Sequence, residues 1–322
     1  MTRNTRIFLG AFLASIPFWL FANTVSSGAQ ELLFWNNMAD TQQASALSSL
    51  EDMKWLARPV IKQTAPSLEL AAQSAVSVLI KTTGEEKTLF KKNEGESLPI
   101  ASLSKLMTAL VAARTFNPKD IITISREAVR EEESFGLLKA GDAFFAKDLL
   151  YPMLIESSND AAAAFALEIG KQPFADLMNL EAKRLELSKT RFTNYAGLDP
   201  DSPEEPVNLS SALDVARIVR ELKDQYPDIF SILRVQELPL YDSRGWFHHD
   251  MINTNELLSF TSWPTKVLGG KTGWTPLAQG TLALVLESPK QKGYIINVVL
   301  GSPDRFSDMK RLVNWTYNSY AW

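Results

Sequence analysis

The 322-residue sequence has no cysteine, which removes disulfides, thiolate nucleophiles and cysteine metal sites together. Its two histidines, His248 and His249, stand side by side. Adjacent side chains in extended chain point opposite ways. No H-E-x-x-H or carboxylate cluster accompanies them, so a metal site is not expected and a solvated loop is. A G-x-S-x-G elbow is also missing, which argues against a Ser-His-Asp hydrolase. Positive charge is not in excess: 33 lysines and arginines against 37 aspartates and glutamates give a net charge of -4. Nucleic acid is therefore not an expected partner, since phosphate recognition needs a basic surface. No internal repeat or low-complexity stretch stands out. The 45% apolar and 22% charged content is an ordinary globular balance, and a chain of this length buries a substantial core.

The first residues carry an export pattern. Arg3 and Arg6 precede an apolar run over residues 7–21, followed by small and polar residues over 23–29. A positive start, a short apolar stretch and a small-residue exit are the layout of a secretory signal. Ser27 and Ala29 fit a cleavage site that places the cut before Gln30. The alternative is an uncleaved anchor, since residues 7–25 fall just short of the ~20 that a spanning helix needs. Residues 1–29 are thus expected to be a signal peptide or N-terminal membrane anchor, 30–70 a juxtamembrane spacer, and 71–322 the main domain.

Within 71–322 the periodicity predicts a hairpin from residues 75–81 and 87–90 around Thr83-Gly84-Glu85. A helix-rich middle follows over roughly 101–233. Strand-like runs return at 266–271, 281–287 and 294–300, and an amphipathic helix closes the chain at 305–317. A two-stranded hairpin is not stable alone. It is therefore expected to join the C-terminal strands in one antiparallel sheet flanked by helices, with the helical middle as an insertion: an α+β architecture.

Three short segments carry chemistry. In Pro99-Ile100-Ala101-Ser102-Leu103-Ser104-Lys105 and the residues after it, Leu103, Leu106, Met107, Leu110 and Val111 form a helical stripe. Ser102 is expected at the N-cap, with Lys105 one turn along on the same side. A serine hydroxyl becomes a nucleophile when a base takes its proton, and a lysine is such a base when burial or a neighbouring cation lowers its pKa. A helix N-terminus adds N–H groups for a developing oxyanion. Ser157-Ser158-Asn159-Asp160 lies between two apolar helical runs and can offer a hydroxyl and an amide to a cleft. Gly269-Gly270-Lys271-Thr272-Gly273 ends a strand-like run. There a lysine and a threonine can bind a carboxylate, and the glycines let a substrate backbone approach. Each segment alone has a plain structural explanation: an N-cap, a capping cluster, a strand-end turn.

In the order S-x-x-K, S-x-N, K-T-G the three resemble the set shared by penicillin-binding proteins and class A β-lactamases. The chain is identified as a member of the D-alanyl-D-alanine carboxypeptidase family, the low-molecular-weight penicillin-binding proteins. Further segments resemble that family: 97–102 before the nucleophile, 136–150 and Asn159-Asp160-Ala161-Ala162 around the second motif, the F-x-x-x-x-G-L-D run over 192–199, Asn253-Thr254-Asn255-Glu256-Leu257-Leu258, and 300–305. The resemblance implies a β-lactamase/DD-transpeptidase-like fold with Ser102 as the acylated nucleophile and Lys105 as its proton acceptor. It also implies that Ser157 and Asn159 line the cleft, and that Lys271, Thr272 and Gly273 bind the substrate and its terminal carboxylate. An oxyanion hole would form from the N–H of Ser102 and that of Trp274 or Thr275. The implied substrates are peptidoglycan stem peptides, the implied covalent inhibitors β-lactams, and no metal or organic cofactor is implied.

The departures are specific. Ser158 replaces a common glycine, and Thr254 stands where some members carry a carboxylate-holding arginine. The run 274–280 is looser than the family pattern. The sequence ends at Trp322 without the β-rich second domain and C-terminal anchor of larger members, so any anchor is expected at the N-terminus. A β-lactamase would carry S-D-N, where Ser158 occupies the aspartate position. A DD-endopeptidase would use the same residues, and an inactive cell-wall-binding scaffold would not need them. Gly270-Lys271-Thr272 is not a phosphate-binding loop, since Thr265 replaces its first glycine and Pro276 blocks the helix that should follow.

Overall fold

The structure, a computed structural model, describes residues 59–130, 137–202 and 204–322. The expected signal or anchor at 1–29 and most of the spacer at 30–70 lie outside the described residues. Residues Ile61–Tyr320 form one compact unit. Its main strands are β1 (Ser74–Lys81), β2 (Glu86–Lys92), β3 (Glu237–Tyr241), β4 (Phe247–Ile252), β5 (Val267–Thr275), β6 (Gln279–Glu287) and β7 (Gly293–Ser302). Its main helices are α1 (Ser104–Thr115), α2 (Ala146–Ile155), α3 (Asn159–Ile169), α4 (Lys171–Arg184), α5 (Ala212–Gln225), α6 (Pro227–Ile232) and α7 (Arg305–Ser319).

The N-terminal hairpin joins the C-terminal strands, as the sequence predicts, in an antiparallel sheet of order β5-β6-β7-β1-β2. Every residue of β1 is buried, so the strand reads as a continuous apolar run rather than an alternation. Period two divides its side chains between two layers. Val76, Val78 and Ile80 join the core shared with the helical middle. On the opposite face Ser77 Oγ lies 2.8 Å from Asn297 Oδ1 and 3.3 Å from Thr316 Oγ1 of α7. The sheet is thus covered on both sides, and β5 is left as the edge that borders the cleft.

Three sequence expectations are corrected here. Ser102 is not an N-cap: Ala101–Leu103 is a 3-10 turn and α1 begins at Ser104. Ala101 has φ +47, a left-handed turn that sets Ser102 off the helix axis. The apolar stripe is not a stripe either, because every residue from Ser104 to Ala112 is buried. α1 runs through the middle of the core, with α3, α4 and α5 around it. The strand expected to stop at Lys271 continues to Thr275, so K-T-G is part of an edge strand and not a turn after one.

The histidines are the fourth correction. They sit on β4, paired with β3 in a hairpin, and His249 is 7% exposed. Carboxylates supplied by the loop before α2 and the end of α2 make an ordered strand out of what the polarity of the segment suggested was loop.

Candidate active site

The turn that carries Ser102 is held by contacts that leave no room for side chains. Gly197 has φ +84, and a Cβ there would stand 1.9 Å from the Ala101 carbonyl oxygen. A Cβ on Gly273 would stand 2.9 Å from the Ser102 nitrogen. The edge strand therefore passes directly against the turn, which K-T-G permits because its last residue is glycine.

Lys105 is fully buried. Its Nζ is 2.9 Å from Ser102 Oγ, 2.7 Å from Asn159 Oδ1 and 2.9 Å from the Ala196 carbonyl oxygen. Two of those partners can only accept, and the third, a hydroxyl, can do either. A neutral amine satisfies all three: it donates twice and accepts the Ser102 proton on its lone pair. Burial, and next the positive charge of Lys271, hold the Lys105 pKa well below the ordinary lysine value. The arrangement can deprotonate Ser102.

Lys271 is the second buried amine, on β5. Its Nζ donates to Ser157 Oγ at 2.8 Å and to the Thr272 carbonyl oxygen at 2.9 Å. Burial, then the charge of Arg305, bring its pKa to about 7. Thr272 Oγ1 lies 2.6 Å from Thr254 Oγ1, and the Nε of Arg305 is buried without a hydrogen-bond partner among the described residues. The Lys271 amine, the nearby charge of Arg305 and the paired Thr254 and Thr272 hydroxyls offer donors and positive charge to an incoming carboxylate.

Backbone direction settles which N–H faces the turn. The Gly270 N–H leaves the sheet to reach the Leu233 carbonyl. N–H groups alternate sides along a strand, so those of Thr272 and Trp274 point outward with it, and that of Thr275 points toward β6. Trp274, not Thr275, presents an N–H to the edge beside Ser102.

The structure thus brings Ser102, Lys105, Ser157, Asn159, Lys271, Thr272 and Gly273 together from four elements. Ser157 has φ +64, which turns its hydroxyl to Lys271 while Asn159 opens α3 toward Lys105. Ser158 between them is the N-cap of α3, its Oγ accepting from the Ala161 N–H at 3.2 Å. Several contributors carry no motif of their own. The Ala196 carbonyl is aimed by Asn194, whose Oδ1 accepts from the N–H groups of Ala196, Gly197 and Leu198. Asn208 in turn accepts from Thr193 and Asn194. Asp199 ties β5 to this loop through Thr275 Oγ1 at 2.7 Å and the Leu277 N–H at 2.9 Å. The run over 192–199 was the sequence signal for Asn194, Ala196 and Asp199, Asn208 had none, and Thr254 marked a departure that the structure places beside Thr272.

A family model described as D-alanyl-D-alanine carboxypeptidase matches residues 60–304. The carboxypeptidase DacF of Bacillus subtilis is 30% identical over 266 residues, which cover 78% of this chain and 64% of that protein. The chain therefore spans just under two thirds of that relative's length. The D-alanyl-D-alanine endopeptidase of Escherichia coli is 29% identical over 266 residues, covering 81% of this chain and 82% of its own. The crystal structure of penicillin binding protein 6B from Escherichia coli superposes with a TM-score of 0.65 at 28% identity, over 80% of this chain and 81% of that one. These matches and the geometry agree, and the chain belongs to the D-alanyl-D-alanine carboxypeptidase family.

Proposed function

We propose that the protein is a serine D-Ala-D-Ala carboxypeptidase that removes the terminal D-alanine of peptidoglycan stem peptides through an acyl-enzyme on Ser102. The observation that carries this reading is the Lys105 amine, buried among neutral oxygens and 2.9 Å from Ser102 Oγ. Neutral Lys105 takes the hydroxyl proton as Oγ attacks the penultimate D-alanine carbonyl carbon. The oxyanion forms between the N–H groups of Ser102 and Trp274, a geometry that favours charge developing in the transition state. The peptide C–N bond breaks as the departing amine takes the proton that Lys105 received from Ser102. Water then attacks the ester and frees Ser102. Lys271, Thr272 and the Arg305 charge hold the terminal carboxylate, while Gly273 keeps the strand close to the reacting bond. β-Lactams acylate Ser102 by the same attack.

The endopeptidase reading uses the same residues on a cross-linked peptide. It is supported by the match to an endopeptidase beside the carboxypeptidases, at nearly the same identity. We assign the reaction to the extracytoplasmic side, where stem peptides lie. In this reading residues 1–29 are a signal peptide or membrane anchor, 30–70 a spacer, and 71–322 the catalytic domain. Among the described residues no helix is long and apolar enough to cross a membrane.

Incubation with a fluorescent penicillin, beside Ser102→Ala, tests the nucleophile. A covalent adduct mapped to Ser102 by mass spectrometry and lost in the variant is expected, and a folded protein that takes no label would sink the reading. Free D-alanine from a pentapeptide, as against monomers from cross-linked muropeptides, separates the two bonds.

A further inference from the structure

The two histidines, the only imidazoles in the sequence, form a hydrogen-bonded row between two carboxylates. His248 Nε2 is 2.8 Å from Asp142 Oδ2, His249 Nε2 is 3.0 Å from Glu156 Oε2, and the two Nδ1 atoms are 2.6 Å apart. The imidazole side chains are 14% and 8% exposed, and Phe144 packs edge-on against His248. An ionised carboxylate only accepts, so each Nε2 carries a proton. The Nδ1 contact needs one donor and one acceptor. One ring is therefore protonated on both nitrogens and the other on Nε2 alone. The row holds a single extra proton, and its positive charge lies between two negative ones.

Glu156 precedes Ser157, whose left-handed backbone presents the hydroxyl to Lys271. The Ile155 carbonyl on the other side accepts from the Thr254 N–H. β4 and the chain just after it thus grip the turn at two adjacent residues. We propose that His248 and His249 are positioning residues for the Ser157 turn, locking Glu156 onto β4 while they share one proton. A second proton sets N–H against N–H, and loss of the shared one sets two lone pairs face to face. Either change opens the row. This rests on the reading that Ser157 belongs to the reaction centre.

Other charges on the packed elements are engaged elsewhere. On α2, Lys147 pairs with Asp148 at 3.6 Å, and at the hairpin tip Arg244 pairs with Asp242. Lys139 reaches Asp142 through its backbone N–H. Glu237 and Asp250 are exposed, and Tyr151 and Tyr241 hydrogen bond neither ring.

Histidine is the side chain that changes charge between about pH 5 and 8. With two histidines in the chain, long-range proton–nitrogen spectra resolve the whole row. One doubly and one singly protonated ring are expected while the row is closed, and the Ser157 amide resonance should shift when it opens. Penicillin acylation by the wild type should exceed that of His249→Phe by about two- to tenfold near neutral pH, the size of one lost hydrogen bond. The ratio should approach one once added acid has put a second proton on the row and opened it, a step the ring spectra themselves locate. A merely structural role would give a ratio independent of pH. Should His249→Phe fail to fold, Glu156→Gln keeps an acceptor but removes the charge, and the ring titration should move to lower pH. Two singly protonated rings, a Ser157 amide that ignores them, or a constant ratio would overturn the proposal. The spectra need no activity, so they decide the matter even where penicillin fails to label Ser102, which would count against the site reading instead.

Discussion

At the β1–β2 turn, Lys81 is withdrawn from solvent and reaches the carboxylate of Glu85 at 2.8 Å. In the cleft, Lys105 and Lys271 are as deeply buried, yet they end on hydroxyls, an amide oxygen and backbone carbonyls. An adjacent carboxylate favours the charged amine, whereas burial among neutral oxygens disfavours it. The first region uses a lysine to fasten a turn. The second gathers buried basic groups: burial first, then the charge of Lys271, lowers the Lys105 pKa, and burial, then the charge of Arg305, lowers that of Lys271. Such a cluster is unfavourable for folding and useful for chemistry, the usual signature of a reaction centre.

Lys105→Met tests the comparison most severely. It keeps the length and volume of the side chain and removes the base. Acylation of Ser102 by penicillin should fall by about 10²- to 10⁴-fold, the usual contribution of general base catalysis, as measured by the second-order labelling rate. Its thermal transition should drop modestly, since Asn159 Oδ1 and the Ala196 carbonyl lose a buried donor. Near-normal labelling would move the base elsewhere and leave Lys105 no different in kind from Lys81.

Lys271 gives the comparison a pH axis. Its folded pKa of about 7 lies below the ordinary 10.5. Between these values the unfolded chain holds a proton that the native protein lacks, so this group makes stability rise with pH across that window. Lys271→Met should abolish that rise, so the variant compares best with the wild type at the low-pH end of the window and worst at the high end, readable from urea melts at several pH values. Carboxylate binding runs the other way. It needs the ammonium form, so the KM for a stem peptide should increase as pH climbs past about 7.

Which parts of this were legible beforehand follows from how far each determinant reaches along the chain. Ser102 and Lys105 lie within one turn, and the sheet strands announce themselves by apolar runs, so the juxtaposed serine and lysine and the sheet were visible. The 3-10 turn was not, because Ala101 takes its left-handed φ from Gly197 and Gly273, distant in sequence and close in space. Burial of α1 on every side was also hidden, since Ser104 and Thr108 look like a polar face. They are satisfied inside the core instead, Ser104 by Ala101 and Asn208 and Thr108 by the Tyr195 carbonyl. The histidines misled for the same reason: their partners, Asp142 and Glu156, are separated from them by 106 and 93 residues.

Ser158 offers the smallest effect and separates the two lysines' shared turn from their chemistry. Ser157 serves Lys271 and Asn159 serves Lys105, and the residue between them touches neither amine. Its hydroxyl caps α3 at Ala161, with φ -55 and ψ 121, a backbone that needs no glycine. Ser158→Ala should therefore cost about 1 kcal/mol of stability, and Ser158→Gly only a few tenths, because glycine is itself a tolerated cap. Penicillin labelling should stay near the wild-type rate in both. A large kinetic loss with an unchanged melt would mean that the hydroxyl acts on the cleft directly and does more than start the helix.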